Sequence, residues 1–345
     1  MIVFYISGHG FGHASRSIAL IRALVRRRPD LRISVKTTAP AWLFERVPAV
    51  SYERFDTDVG MTQHDSLTID VADTAARAAC FYRDFDRKAD AEAAWLSASR
   101  VRLVLADIPP LAHAAAARAS LPSIAIGNFT WDWIYEGVPT FERDAPGVIQ
   151  TIRDAYRDCT RALRLPMHGG FASMSKVTDI PMIARRSTIT RDQARRAMHV
   201  PDDRLFALAS FSGHGLDVPF ERIADEQRLT VLSPAASLPP PLEYPDLVAA
   251  SDVVISKPGY GIVSECVASG TPLLYTSRGH FVEYDVIVAE MPRVLRCRFI
   301  PQDDLRAGHW RPHIEALLAQ DAPPDCARVD GAQVAADVIS RSVCG

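Results

Sequence analysis

Short apolar runs recur along the chain, each followed by a glycine-rich or polar turn and then by apolar positions at helical spacing. Residues 2–6 (IVFYI) form the first run, Gly8 to Gly12 the turn, and Ile18, Leu20, Ile21, Leu24 and Val25 the buried stripe of a helix. The unit repeats with strands expected at 32–37, at 101–106 ending on Asp107, and at 123–127, with an alanine-rich helix over 113–119. Fully apolar strands alternating with helices predict a mostly parallel sheet covered on both faces, with ligands gathering at the carboxyl ends of its strands.

A second series starts after the Gly/Ser/Met-rich stretch around 167–176. Strands are expected at 205–210, 253–256 and 273–276, helices at about 262–269 and 333–342. The reading is therefore α/β, with two Rossmann-like parallel-sheet domains facing each other across a cleft. Residues 1–178 would form the first unit, 179–328 the second, and 329–345 a helix packing back toward the first unit. No true sequence repeat relates the halves.

Composition removes several classes. With 345 residues, 48% hydrophobic and 23% charged, the chain is long enough for two cores and has ordinary globular usage. Lys+Arg 39 against Asp+Glu 41 leaves a net charge of −2, which offers no electrostatic footprint for nucleic acid or an anionic membrane. Only Lys36, Lys88, Lys176 and Lys257 are lysines, and so strong an arginine bias argues for giving isolated arginines little weight. The six cysteines contain no C-x-x-C pair, so neither a zinc site nor a dithiol motif is expected. No signal-peptide pattern or membrane-length apolar stretch occurs, and a cytoplasmic protein is expected.

Gly8, Gly10 and Gly12 imitate a dinucleotide fingerprint, but the last required glycine falls on His13 and no acidic residue closes the second strand, which disfavours a nicotinamide enzyme. No kinase-type phosphate loop is present. Asp56-Thr57-Asp58 matches a D-x-D metal motif that arises readily by chance, and no metal is expected. The most informative segment is Lys257-Pro258-Gly259-Tyr260-Gly261-Ile262-Val263-Ser264-Glu265, where a strand turns into a helix. Its exposed N–H groups and helix dipole suit a diphosphate, Lys257 adds a charge, and Glu265 on the second helical turn suits two ribose hydroxyls. The plainer alternative is a tight turn followed by a solvated glutamate.

That segment, with Gly270-Thr271-Pro272 and Glu283 beyond it, resembles the donor-binding signature of nucleotide-sugar glycosyltransferases with the two-domain GT-B fold. Gly8-His9-Gly10-Phe11-Gly12-His13 resembles the glycine-rich loop of the peptidoglycan N-acetylglucosaminyltransferase family. Residues 8–16, Asn128-Phe129-Thr130-Trp131-Asp132 and 256–265 together resemble the glycosyltransferase-like N-terminal region of plant L-arabinokinases, and the likeness extends over nearly the whole chain. It implies that Lys257, Gly259, Tyr260 and Gly261 meet the donor diphosphate, Glu265 the ribose and Glu283 the sugar hydroxyls. Tyr284 stands where that pattern has glutamine, and Ser212, Gly213 and His214 would approach the phosphates.

His13, at the loop-to-helix junction, can project its imidazole into the cleft and take a proton from an acceptor hydroxyl or amine. Asp107 matches the aspartate that orients this histidine in plant small-molecule glycosyltransferases, although a strand-end cap is an equal alternative. Gly10, Phe11, Arg16, Trp131 and Asp132 are expected on the acceptor side. Trp131, Trp133 and Tyr135 would offer an apolar face or else form a core cluster, Asp132 is the second candidate base, and Arg16 would bind an anion or pair with a carboxylate. The expected activity is metal-independent, inverting transfer from an NDP-sugar, UDP- or TDP-linked, to a small molecule, without other cofactors. An epimerase or glycoside phosphorylase on the same fold, a non-catalytic sugar-nucleotide-binding module, and a homodimer stay open.

Overall fold

The computed structural model describes all residues except 66, 212–217, 219, 234–241, 280 and 345, and the backbone alone of 221, 226, 343 and 344. The first sheet is formed by β1 (Ile2–Ile6), β2 (Ile33–Thr37), β3 (Val50–Arg54), β4 (Leu103–Asp107), β5 (Ser123–Gly127), β6 (Arg161–Arg164) and β7 (Val177–Asp179). Its order is β3-β2-β1-β4-β5-β6-β7, every pair parallel. A second parallel sheet contains β8 (Leu205–Ser210), β9 (Leu229–Leu232), β10 (Val253–Ser256), β11 (Leu273–Tyr275) and β12 (Cys297–Phe299) in the order β12-β11-β10-β8-β9.

Strands β1, β2, β4 and β5 are buried along their whole length, which is why β1, β4 and β5 read as mostly apolar runs; β2 alternates, its buried Lys36 paired with Glu92. The Gly10–Arg27 helix buries Ile18, Leu20, Ile21 and Leu24. Arg26 and Arg27 complement the negative end of its dipole, and Pro29 prevents its continuation. The Pro110–Arg118 helix begins three residues before the expected start, because Pro110 is tolerated in a first helical turn, where its missing N–H would have no partner. The Tyr260–Ser269 helix also begins earlier than expected, and Gly259 is its N-cap.

The chain crosses between the sheets twice, side by side. Met182 and Gly331 are joined by a backbone hydrogen bond of 3.0 Å, and Ile183 bridges Asp330. The final helix, Gly331–Cys344, lies on the Gly10–Arg27 helix, burying Ala335 and Ile339 and pairing Asp337 with Arg27 at 2.6 Å. One apolar cluster runs from Ile2 and Leu20 through Tyr260 and Val263 to Val254, so the two sheets share a core where they meet. Among the described residues no helix is long and apolar enough to cross a membrane.

Candidate active site

Each sheet has one place where neighbouring strands send their connections in opposite directions, and such places open a crevice at the carboxyl ends. In the first sheet it lies between β1 and β4, in register with Ile6 opposite Asp107. In the second it lies between β8 and β10, with Ser210 opposite Ser256. The 7–13 loop and Asp107 therefore face the 257–261 turn. Gly12 and Gly261 touch across this boundary: a Cβ on Gly261 would stand 3.1 Å from the Gly12 Cα. Close approach of two helix N-termini thus accounts for Gly261, whereas a Cβ on Gly12 would make only ordinary contact, 3.8 Å from the Gly261 nitrogen. The loop after β8, with Ser212, Gly213 and His214, lies outside the described residues.

His13 and Asp107 come together on the first domain. His13 Nδ1 is 2.8 Å from Asp107 Oδ1, and both side chains are buried. Arg16 Nε donates to Asp107 Oδ2 at 2.7 Å, its Nη2 donates to Oδ1, and Ser17 Oγ donates to Oδ2 at 2.9 Å. Burial alone would raise the Asp107 carboxyl, but Arg16 and His13 more than offset that and hold it down at about 2. Arg16 Nη2 also lies 3.0 Å from His13 Nδ1. A guanidinium only donates and a carboxylate only accepts, so both nitrogens direct hydrogens at the same Asp107 oxygen. That arrangement leaves the Nε2 lone pair of a neutral His13 free of any described protein partner.

The network continues into the second domain. Arg16 Nη1 donates to Asn128 Oδ1 at 2.6 Å, and Asn128 Nδ2 donates to Glu283 Oε1 at 2.9 Å. Glu283 Oε2 is 3.8 Å from Arg278 Nη1, and Arg278 lies over the Phe281 ring at 4.1 Å. Arg16, Asn128, Arg278 and Glu283 are all buried. Burial lowers the Arg278 guanidinium from its ordinary value, and Glu283 opposes the shift.

On the facing turn, Lys257 Nζ donates to Gln63 Oε1 at 3.2 Å. Burial, with Arg278 beside it, brings the Lys257 ammonium down to about 7. Gly259 leaves the Tyr260–Ser269 helix without a side-chain cap, so its first N–H groups face the cleft end of the turn. Glu265 does not lie in solvent: it is 4% exposed, accepts a 2.6 Å bond from Arg185 Nε, and lines a cavity of ≈ 140 Å³ with Arg186, Ser187, Pro245 and Ser269. Burial raises its carboxyl, against the pull of Arg185. The Tyr260 side chain, expected to meet a diphosphate, is instead buried. It lies beneath the Arg16 guanidinium at 5.3 Å, and its oxygen accepts the Ile183 N–H at 3.3 Å.

Other expected residues are placed differently. Trp131 is wholly buried and offers no open platform; its Nε1 donates to Asp58 Oδ2 at 2.8 Å, and its ring stacks on Tyr135. Asp132 sits away from the His13 group, with Arg153 and Ser173 each 3.5 Å from its Oδ2. Tyr284 packs with the apolar cluster of Phe129 and Phe281. Phe11 is the exposed aromatic of the group, edge-on to the exposed Trp42 at 5.8 Å. Gly10 has a φ of +70°, a conformation that glycine adopts without strain.

Asp58 accepts from Ser7 Oγ at 3.1 Å as well as from Trp131, while Asp56 is exposed. Burial pushes the Asp58 carboxyl up to about 6. Among the described residues no group of three or more His, Cys, Asp or Glu side chains gathers as a metal site.

Sequence reading named His9 and Asn128 within motifs but gave them no role, weighed Asp58 only as part of a chance D-x-D, and passed over Arg185 and Arg278. Arg278 follows β11, as Lys257 follows β10, so the strand-end rule would have found it. Discounting arginines by composition hid it, together with the ion pair made by Arg185, whereas Arg16 makes the carboxylate pair that was one of its two expected roles.

No protein-family model matches the chain. The L-arabinokinase of Arabidopsis thaliana is 26% identical over 100% of this chain, which spans 34% of that enzyme's length. Among solved structures, the calicheamicin glycosyltransferase CalG4 superposes over 99% of this chain and 98% of its own, with a TM-score of 0.62 and 16% identity. The glycosyltransferase VinC, determined in complex with dTDP, covers 100% of this chain and 95% of its own, with a TM-score of 0.58 and 14% identity. A Listeria monocytogenes protein named as a UDP-N-acetylglucosamine 2-epimerase covers 98% and 94%, with a TM-score of 0.53 and 12% identity. The shared property is architecture: the chain has the GT-B fold, two Rossmann-like parallel-sheet domains whose switch-point crevices face each other.

Proposed function

We propose that this chain is a glycosyltransferase that moves a sugar from a nucleoside-diphosphate sugar to a small-molecule acceptor by direct, inverting displacement. The observation that carries this reading is the buried His13–Asp107 contact of 2.8 Å opposite the Lys257–Arg278 side of the cleft. In the proposed reaction the acceptor oxygen or nitrogen attacks the anomeric carbon while its proton passes to His13 Nε2. The bond from that carbon to the phosphate oxygen breaks, and the nucleoside diphosphate leaves with the electron pair. Asp107 keeps the His13 proton on Nδ1 and stabilises the imidazolium that forms. Lys257, Arg278 and the helix N–H groups after Gly259 meet charge growing on the leaving phosphate, where preset dipoles lower the barrier most. Glu265 and Arg185 would take the ribose, and the donor would be UDP- or dTDP-linked, the latter in line with the nucleotide held by VinC. Closure of the two crevices excludes water that would hydrolyse the donor.

The test is donor consumption by wild type and His13→Ala over a panel of UDP- and dTDP-sugars and small acceptors, with EDTA present. Expected are transfer by wild type without added metal, its loss by about 10² to 10⁴ in His13→Ala, and nearly equal nucleotide affinity in the two proteins. Turnover without acceptor would favour an epimerase. Nucleotide-sugar binding with no turnover, and no effect of His13→Ala, would favour a binding module, the reading to which the partial match with L-arabinokinase points.

A further inference from the structure

His9 lies between the two halves of this site and has a fixed protonation pattern. Its Nδ1 accepts the backbone N–H of Met61 at 3.2 Å. A backbone amide only donates, so a neutral His9 ring must carry its hydrogen on Nε2. No described residue accepts that hydrogen. The ring is firmly seated: it stands edge-on to Trp131 at 5.5 Å, and Phe281 of the second domain is 6.4 Å away. Gly60 packs so closely that a Cβ there would lie 2.7 Å from the His9 Cβ, and Tyr135 Oη holds the Gly60 carbonyl at 3.0 Å. His13 is 6.4 Å away between ring centres. Burial, then Arg278, His13 and Lys257, push the His9 ring well below its ordinary value and keep it neutral.

We propose that His9 is a phosphate-binding residue of the first domain, its Nε2–H donating to a terminal (β) phosphate oxygen of the bound nucleoside diphosphate. This rests on the glycosyltransferase reading above. The reacting carbon must lie between the base at His13 and the cations at Lys257 and Arg278, and His9 borders both groups. Lys257 and Arg278 belong to the second domain, whereas His9 belongs to the first. Its bond therefore forms only when both domains meet the donor, and it ties domain closure to stabilisation of the leaving group. A neutral donor adds this contact without a third positive charge beside Lys257 and Arg278.

Calorimetry with UDP, UMP, dTDP and dTMP tests it on wild type, His9→Asn and His9→Gln. The Asn carbonyl can still accept from Met61, so the seat survives while the Nε2–H is lost. The Gln amide reaches the Nε2 position. His9→Asn is expected to bind the diphosphate about tenfold to a hundredfold less tightly, the range for a hydrogen bond to a charged partner. Its affinity for the monophosphate and its melting temperature should match wild type, and His9→Gln should recover most of the loss. Equal loss of diphosphate and monophosphate, a lowered melting temperature in both variants, or wild-type binding by His9→Asn would each overturn the proposal. If wild type binds none of the four nucleotides, the functional reading itself falls. Binding by wild type with no effect of His9→Asn removes only the assignment of His9.

Discussion

Diphosphate affinity is expected to fall as pH rises above 7, because Lys257 enters the unliganded site largely neutral there. Its ammonium, ordinarily near 10.5, is brought to about 7 by burial and by Arg278. A bound diphosphate supplies the opposite charge that burial removed, and so raises the value again. Below pH 7 the ammonium is already charged and binding draws no proton from Lys257. Above pH 7 each binding event must capture one until the bound-state value is passed. At pH 8 about ten molecules in eleven are neutral, so binding should take up about 0.9 proton. Affinity should then decline toward tenfold, ~1.4 kcal/mol, per pH unit. The terminal phosphate of UDP, with a second ionisation near pH ~6, is almost fully charged by then and adds little.

Titration calorimetry of UDP at pH 8 in two buffers of different ionisation enthalpy reads the uptake directly. Lys257→Met should abolish it, binding much more weakly than wild type at pH 6, with a deficit that shrinks as pH rises toward 9. No uptake by a wild type that binds UDP, or the same uptake by Lys257→Met, would refute the reasoning.

Asp107→Asn should unfold more easily by roughly 3–5 kcal/mol in urea, because it strands the buried Arg16 guanidinium without its counter-charge; an unchanged midpoint would show that Arg16 finds another partner. On the expected result Asp107 would hold the fold around Arg16 as well as orient His13. Because the folded value of about 2 lies below the ordinary 3.8, Asp107 should contribute ~2 kcal/mol of stability above pH ~4 that disappears as pH falls through 2, and Asp107→Asn should lack that segment of the acid-unfolding curve. Glu265→Ala should weaken UDP binding by about 1 to 3 kcal/mol in calorimetry, and unchanged affinity would take Glu265 out of the ribose site. Gly261→Val should lower the melting temperature, with a cost of ~1 to 3 kcal/mol, since its Cβ presses on the Gly12 backbone at 3.1 Å before any phosphate is bound; a stable variant that merely fails to bind nucleotide would show instead that the side chain crowds the ligand.

The fold was legible wherever apolar runs were bounded by glycine or proline. The spans 2–6, 123–127, 205–210 and 253–256 are strands at the expected residues. Strands β3, β6, β7, β9 and β12 were not read from the chain. Four of them lie at sheet edges, where partial exposure and short length leave little periodicity, and β6 borders the edge strand β7. The alternation of strands and helices also carried the position of the site, because parallel sheets place ligands at strand ends whatever their side chains.

By itself the sequence determined that two such sheets form, that Asp107 ends one strand of the first while His13 opens the helix after another, and that Lys257 to Glu265 opens a helix in the second. Only the tertiary structure decided that Asp107 holds Arg16 as well as His13, that Glu265 pairs with Arg185, that Asn128 reaches Glu283 from the other domain, and that Trp131 is sealed behind His9. The difference is one of range. Periodicity and capping report on neighbours two to four residues away, whereas these contacts join residues 80 to 155 positions apart. Which buried charge finds which partner depends on sheet order and on the angle at which the two crevices meet. An arginine in the sequence carries no mark of whether it will end in water or against a buried carboxylate.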